Sequence, residues 1–194
     1  FETFFPDTLD LIPNISEQFF QNPTGILGTV RCSHWHHDDR FILMGDAAHA
    51  MVPFHAQGMN SAFDDCIVFD SIISEDFADW NKVFQKFEKK QKKNADAIQA
   101  MALDNYIEMR DGVLDPKFSL KKELSFELER RIPGHFIPRY SMVMFHEDIP
   151  YSVSHKRGEI QKEILNELTE KANKISEIDL DCAENIVRKR LDPL

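Results

Sequence analysis

Residues 45–65 constrain this chain more than any other stretch. They read Gly-Asp-Ala-Ala-His-Ala-Met-Val-Pro-Phe-His-Ala-Gln-Gly-Met-Asn-Ser-Ala-Phe-Asp-Asp and follow an apolar run at 41–44. An apolar run that stops at Gly-Asp predicts the end of a strand, and the later Gly-Met-Asn predicts the start of a helix. The first N–H groups of a helix lack intrahelical partners, so this region combines a carboxylate, at Asp46, with free backbone donors. That combination favours a ligand with hydroxyl groups and negative charge.

The same stretch resembles the second FAD-binding motif of the single-component, flavin-dependent aromatic hydroxylases. The family pattern is Gly-Asp-Ala-Ala-His, then a proline, then Gly-Gln-Gly-x-Asn and an acidic pair. The positions that agree are Gly45, Asp46, Ala47, Ala48, His49, Pro53, Gln57, Gly58, Asn60 and Asp65. Ala56 departs from the pattern, because the family usually has glycine there. An alanine is strained at that position if the backbone needs a positive φ.

The resemblance implies a cofactor, FAD, with NADPH as the co-substrate. Asp46 is expected to accept hydrogen bonds from hydroxyl groups of FAD, and the N–H groups at the start of the next helix are expected to face the flavin. Pro53 lacks an N–H and has a fixed φ, so it can present a rigid surface near the flavin. The expected cofactor-binding residues are Gly45, Asp46, Pro53, Gln57, Gly58, Met59 and Asn60.

Two further stretches, 104–110 and 135–143, resemble members of this family that hydroxylate a small aromatic amino acid with O2. The resemblance places Asn105 and Tyr140 at the amino-acid end of that substrate. Met109 lies four residues after Asn105, so a helix would present both side chains on one face.

The loop before the predicted helix supplies two further candidate substrate-binding residues. Phe54 is expected to pack on the aromatic ring of the substrate. His55 has two readings. It either lines the pocket or acts as an acid or base, since imidazole titrates near neutral pH. No residue of the chain is assigned to catalysis on its sequence alone.

The predicted fold class is α/β, mainly helical in this chain. No Gly-x-Gly-x-x-Gly occurs in the 194 residues, although that fingerprint places the pyrophosphate of a dinucleotide on a helix N-terminus. We therefore expect the C-terminal portion of a flavin-hydroxylase fold, with the rest of the FAD site in a missing N-terminal portion. Residues 1–76 are expected to complete the FAD-binding and substrate region. Residues 77–194 are expected to form a helical region that contributes to the substrate pocket.

Hydrophobic spacing and turn residues predict the secondary structure. The predicted elements are short helices between Leu9 and Phe20, strands at 29–33 and 41–44, a helix capped by Ser61 and reaching Ile73, a long helix from Asp79 to Arg110, a helix at 119–131, a short helix within 136–145 and an amphipathic helix at 157–176.

Composition argues against several other functions. The net charge of −10 disfavours a nucleic-acid partner, which needs clustered Lys and Arg. No run of about twenty apolar residues predicts a membrane span. The expected location is therefore cytoplasmic, unless a membrane anchor has been removed. Three cysteines without CxxC spacing fit a reducing compartment, and Cys66 is expected in the core.

The run His34-Trp35-His36-His37 resembles a metal site only superficially. Zinc sites need about four convergent ligands, and adjacent residues of a strand point to opposite faces. No metal is therefore predicted, and a pocket-edge strand with surface histidines is the favoured interpretation. Two alternatives to the main functional reading stay open: a related flavin hydroxylase of another aromatic acid, and a non-catalytic interaction fragment that acts through the acidic helices within 157–190.

Overall fold

The computed structural model describes residues 1–76 and 79–194. Two antiparallel strands, β1 (His36–His37) and β2 (Phe41–Ile42), form a small sheet in which His36 lies opposite Ile42. The α-helices of the described residues are α1 (Thr8–Leu11), α2 (Ile15–Gln21), α3 (Asp46–His49), α4 (Gly58–Asp76), α5 (Trp80–Arg110), α6 (Phe118–Arg131), α7 (Arg139–Phe145), α8 (Tyr151–Thr169) and α9 (Leu180–Arg190). Single 3-10 turns occupy Pro53–His55, Gly112–Leu114 and Ile175–Glu177. The predicted mainly helical α/β class is confirmed.

Helix α5 is the central element, and it packs against both α4 and α8. Its start is fixed by Asp79, whose side chain accepts a hydrogen bond from the Lys82 N–H at 3.1 Å, as an N-cap should. Its apolar residues recur every three or four positions and are buried. They include Val83, Phe84, Phe87, Ala95, Ile98, Met101 and Ala102. The predicted bounds of this helix are therefore confirmed.

The two larger apolar cores lie in different parts of the structure. The first joins β1 and α3 to α4 and α5, and consists of Trp35, Ala48, Val68, Ile72, Val83, Phe84, Phe87 and Ala95. The second joins α6, α8 and α9, and consists of Leu124, Leu128, Ile132, Phe136, Ile164, Ala183, Val187 and Leu191. Ala48 of the motif is part of the first core, so packed side chains support the motif on one side.

Several predicted elements have different limits in the structure. The strand predicted at 29–33 is wrong: Val30 donates one backbone hydrogen bond to Ala50 (2.9 Å), but no ladder forms there among the described residues. The strand predicted at 41–44 shortens to Phe41–Ile42. Helix α4 begins at Gly58 rather than Ser61, because the Ser61 N–H already donates to the Gln57 carbonyl at 2.9 Å.

The C-terminal prediction also needs correction. Helix α8 begins at Tyr151 rather than 157, since the Pro150 carbonyl accepts from Val153 and Ser154. Helix α9 was not predicted as a separate element. Asp179 starts it by accepting hydrogen bonds from the N–H groups of Asp181 and Cys182.

Cys66 is exposed, so its predicted place in the core is wrong. The buried face of α4 carries Asp65, Val68 and Ile72 instead. The short helices α1 and α2 appear where helices were predicted, and neither buries a residue. The predicted domain boundary after residue 76 adjoins residues 77–78, which lie outside the described residues, and it stays a prediction. Within 1–76 and 79–194, no helix has the length and apolar content needed to cross a bilayer.

Candidate functional site

The turn at Gly45 sets the geometry of the motif. Gly45 has φ +56° and ψ −141°, and an added Cβ would lie 3.3 Å from the Cβ of Ala62. Other residues rarely adopt a positive φ, and a side chain here would press on α4. Glycine therefore allows the chain to turn from β2 into α3 directly against α4.

Asp65 is the buried anchor of this turn. One carboxylate oxygen, Oδ2, accepts hydrogen bonds from the Gly45 N–H (2.9 Å) and from His49 Nε2 (2.7 Å). The other oxygen accepts from the side-chain amide of Gln91 at 3.1 Å. The indole of Trp35 packs on the His49 ring, with centroids 5.2 Å apart. His49 thus braces the motif from inside, and Asp65 ties α3, α4 and α5 together.

A cavity of about 460 Å³ opens on the other side of the motif. Its lining consists of Asp46, Met51, Pro53, Ala56, Gly58, Met59 and Ala62. Four of the seven predicted cofactor-binding residues are in this group, namely Asp46, Pro53, Gly58 and Met59. We call it the motif cavity. Asp46 is exposed, so its carboxylate is available to a ligand.

Gln57 and Asn60 support the loop rather than line the motif cavity. The buried Gln57 side chain accepts hydrogen bonds from Tyr151 Oη (3.0 Å) and Asn60 Nδ2 (2.9 Å), and donates to Met144 Sδ (3.0 Å). These contacts hold the two side chains in place next to the first turn of α4. Asn60 is itself exposed at the helix start, where its backbone N–H can face a ligand.

Ala56 occupies the backbone conformation that the family pattern assigns to glycine. It follows the 3-10 turn at Pro53–His55 with φ 53° and ψ 28°, in the left-handed region. An L-residue with a Cβ is strained there. Ala56 therefore holds a left-handed conformation that glycine would adopt with less strain.

The motif cavity fits the groups of FAD. The first turn of α4 presents N–H groups and the positive end of a helix dipole, which suit a carbonyl edge or negative charge. The Asp46 carboxylate suits hydroxyl groups. Met51, Pro53 and Met59 give an apolar surface that suits a flat ring.

Two ring pairs join the loop at 53–57 to α5 and to α7. Phe54 packs on Tyr106 (ring centroids 4.8 Å apart), and His55 stacks on Tyr140 (5.5 Å, 19° between ring planes). We call these four rings the aromatic cluster. The side-chain amide of Asn105 donates to the carbonyl oxygen of Phe54 and fixes the loop against α5.

Met109 lies one helical turn beyond Asn105 and is exposed. The structure thus brings His55 to Tyr140 and Asn105 to the backbone of Phe54, whereas Met109 is exposed near the end of α5. Tyr106 completes the cluster, although sequence reasoning did not single it out. Its place in the resembling stretch 104–110 was the available signal.

His55 is buried, and its Nδ1 has no hydrogen-bond partner among the described residues. Burial lowers the pKa of His55, and the nearby positive charge of Arg139 lowers it further, against a smaller opposing effect of a backbone hydrogen bond. The imidazole is therefore neutral at neutral pH.

Arg139 is a second residue that sequence reasoning missed. Its guanidinium pairs with Asp104 at 3.0 Å and lies 3.7 Å from Glu159. These partners are far apart in sequence, so no local pattern announces them. Asp104, His155 and Glu159 are close enough to form a three-ligand cation site, but the Arg139 guanidinium already pairs with both carboxylates.

The histidine run follows the surface-strand prediction. His36 Nδ1 bonds to Glu88 at 2.5 Å, and the Trp35 N–H donates to the same carboxylate oxygen at 2.9 Å. Hydrogen bonds from Trp35 and His36 lower the pKa of Glu88, although partial burial opposes them. His37 points away and is exposed. Glu88 thus anchors β1 to α5.

Comparison with known proteins shows what this chain is similar to. Residues 15–81 match the family described as "FAD binding domain". "Kynurenine 3-monooxygenase" of Xanthomonas axonopodis pv. citri (strain 306) is 48% identical over 191 residues, which are 98% of this chain and 41% of that protein. The protein of the same name from Myxococcus xanthus (strain DK1622) is 43% identical over 189 residues, 97% of this chain and 40% of its own length.

The chain is homologous, over nearly all of its length, to proteins named kynurenine 3-monooxygenase. The predicted family resemblance is therefore confirmed, and the residues that match the FAD-binding family include the whole motif cavity. The chain spans about 41% of the length of the curated relatives it matches.

Proposed function

We propose that this chain is part of an FAD-dependent, NADPH-using monooxygenase that hydroxylates L-kynurenine to 3-hydroxykynurenine. The observation that carries the proposal is the motif cavity: Asp46 and the start of α4 converge on one space, within residues that match an FAD-binding family. The relatives named kynurenine 3-monooxygenase suggest the substrate.

The residues of the motif cavity would hold the flavin. Asp46 would accept hydrogen bonds from hydroxyl groups of FAD, and the N–H groups of Gly58, Met59 and Asn60 would face its electron-rich edge. Pro53 would limit the movement of the ring. Gly45 and Gln57 would act indirectly on flavin binding: Gly45 through the turn that it allows, and Gln57 through the loop that its hydrogen bonds fix. When bound, FAD supplies the oxidising chemistry, with NADPH as reductant and O2 as co-substrate.

The aromatic cluster would bind the substrate. Phe54 offers a ring face to the aminophenyl ring, and Tyr140 is exposed enough for its hydroxyl to donate to the substrate carboxylate. Asn105 uses its amide nitrogen on the loop, which leaves its carbonyl oxygen to accept from the substrate amine. Met109 would close the edge of the site.

We assign His55 to the wall of the pocket. Its burial and lowered pKa keep the ring neutral, and its stacking on Tyr140 positions that ring. A neutral, packed imidazole excludes water from the reacting groups, which protects the chemistry.

The remaining length of the relatives would supply what this chain lacks. A dinucleotide site needs the Gly-x-Gly-x-x-Gly turn, and a substrate carboxylate favours an arginine partner. Arg139 lies next to Tyr140 but is already paired with Asp104. We propose that an N-terminal portion of the same protein provides both features, while 1–76 and 77–194 contribute the flavin side and the helical side of the pocket.

The test uses the full-length protein. Its visible spectrum is recorded first, and NADPH oxidation is then measured with and without L-kynurenine, with product analysis. A flavin spectrum, stimulation by kynurenine and formation of 3-hydroxykynurenine are expected. Flavin without stimulation would contradict the substrate and point to another aromatic acid. A purified protein that neither contains nor binds FAD would contradict the proposal as a whole and favour an interaction fragment.

A further inference from the structure

Arg157 is a buried cation whose hydrogen bonds, within the described residues, go to backbone carbonyls. Its Nη1 donates to the Asp192 carbonyl (2.8 Å) and its Nη2 to the His135 carbonyl (2.7 Å), and the residue is 8% exposed. A buried charge is costly unless it is well bonded. These bonds therefore join three separate segments: α8, the C-terminal tail and the loop before α7.

A second buried residue of α8 holds the same loop. Gln161, one helical turn after Arg157, is 3% exposed and donates to the Ile137 carbonyl at 2.7 Å. The C-terminal tail adds a third bond, from the Leu194 N–H to the Gly134 carbonyl at 2.9 Å. Arg157, Gln161 and Leu194 thus bond three of the five carbonyls of the loop 134–138.

This loop leads directly into the substrate side of the site. The next residues are Arg139 and Tyr140, the first two of α7. The Arg139 side chain lies against Gly158, where a Cβ would clash with its aliphatic carbons. The Tyr140 ring stacks on His55. A shift of the loop would therefore move Tyr140 relative to His55.

We propose that Arg157 and Gln161 are positioning residues for the substrate, which fix Tyr140 by clamping the loop 134–138. The clamp contacts neither substrate nor flavin and acts through Tyr140. The inference rests on the proposed function, because it assumes that Tyr140 binds the substrate carboxylate. It also gives the C-terminal tail a part in substrate affinity.

The competing explanation is that Arg157 only stabilises the helical region. Lys117 offers a matched control for that explanation. Its Nζ donates to the carbonyls of Thr169 (2.8 Å), Glu170 (3.1 Å) and Ala172 (2.5 Å), at the other end of α8. It is also a cation that binds backbone carbonyls, but its partners are remote from the loop 134–138.

The experiment compares Arg157→Met, Gln161→Met and Lys117→Met in the full-length protein. Thermal unfolding, FAD content, and kcat and KM for L-kynurenine are measured for each variant, together with amide hydrogen exchange of residues 134–140. We expect the first two variants to raise KM about tenfold while keeping their FAD, with faster exchange in the loop. Lys117→Met should change KM by less than about twofold, even where it lowers Tm as much. Arg157→Lys should recover part of the lost affinity, since one donor can reach one of the two carbonyls.

Equal KM values in all variants that keep their FAD would overturn the inference. So would an increase in KM that matches the decrease in Tm across all three variants, the Lys117 control included. If Arg157→Met does not fold, Gln161→Met decides, because it removes one neutral hydrogen bond only. Failure of the proposed function has a different signature: the wild-type protein itself would show no kynurenine-stimulated NADPH oxidation, and both proposals would fall. Failure of the clamp alone leaves the wild-type response intact.

Discussion

His49 Nε2 lies 2.7 Å from Asp65 Oδ2, and both residues are 1% exposed. The same oxygen accepts the Gly45 N–H, so one carboxylate fixes the glycine turn and the end of α3 together. Asp65 and His49 therefore fix the backbone next to the motif cavity, although neither side chain lines the cavity. This arrangement explains why the Gly-Asp-Ala-Ala-His stretch and the distant acidic pair occur as one pattern.

Asp65→Asn should lower the free energy of unfolding by about 1–3 kcal/mol, because hydrogen bonds to a charged acceptor become neutral ones in a buried site. The urea midpoint of the full-length protein measures the effect. Asp70→Asn, on an exposed position of the same helix, is the control and should leave the midpoint unchanged. Equal midpoints for the two variants would show that the buried carboxylate is not an anchor.

Ala56→Gly should stabilise the protein by about 0.5–1 kcal/mol. The left-handed conformation costs a non-glycine residue about 1–2 kcal/mol, and the extra freedom of glycine in the unfolded chain offsets part of the gain. Thermal unfolding measures the change, and FAD binding should be retained because the loop keeps its path. Ala100→Gly, inside α5, should instead destabilise. A lower Tm for Ala56→Gly would contradict the claim that Ala56 is strained in the native loop.

The lowered pKa of the buried His55 should make the stability of the protein depend on pH. Its folded-state pKa lies below the ordinary value of 6.5, so the unfolded chain binds the proton more readily as the pH falls below 6.5. Stability is therefore lost on acidification from 6.5 down to the folded-state pKa, with a slope of at most about 1.4 kcal/mol per pH unit.

His55→Gln should flatten the stability profile over that window. Urea midpoints between pH 5 and 8 measure the slope, with the exposed His37→Gln as the control. Parallel profiles for the wild type and His55→Gln would rule out the titration of this buried ring.

Tyr140→Phe should raise KM for L-kynurenine about tenfold, since a hydrogen bond to a charged group contributes about 1.5–3 kcal/mol. The ring that stacks on His55 is kept, so FAD content should not change. Steady-state kinetics and the flavin absorbance of the same sample separate the two effects. An unchanged KM, or loss of FAD, would remove the assigned role of the hydroxyl group.

Sequence patterns gave correct predictions where the structure depends on interactions between residues close together in the chain. The bounds of α5 followed from the Asp79 cap and the spacing of its apolar residues, and the turn at Gly45 followed from the motif. The strand predicted at 29–33 failed because a strand needs a partner, and the described residues hold only β1 and β2. β-propensity alone does not supply that partner.

The parts of the site that sequence reasoning missed depend on distant contacts. The inward orientation of Gln57 is decided by Tyr151 and Met144, about ninety residues away. Cys66 sits in an apolar-looking stretch, yet the rotation of α4 exposes it. The pairing of Arg139 with Asp104 likewise joins α7 to α5. Such contacts are set by packing and leave no periodic signal in the chain.

The flavin content of Asp46→Ala tests the central claim most directly. Full-length wild type, Asp46→Ala and the control Asp70→Ala are purified identically, and the ratio of flavin absorbance to protein absorbance is compared after addition of excess FAD and desalting. Asp46 lines the motif cavity and Asp70 does not. The account predicts a large loss of FAD in Asp46→Ala alone, with Tm close to that of the control. Full FAD occupancy in Asp46→Ala would contradict the assignment of the motif cavity to the flavin.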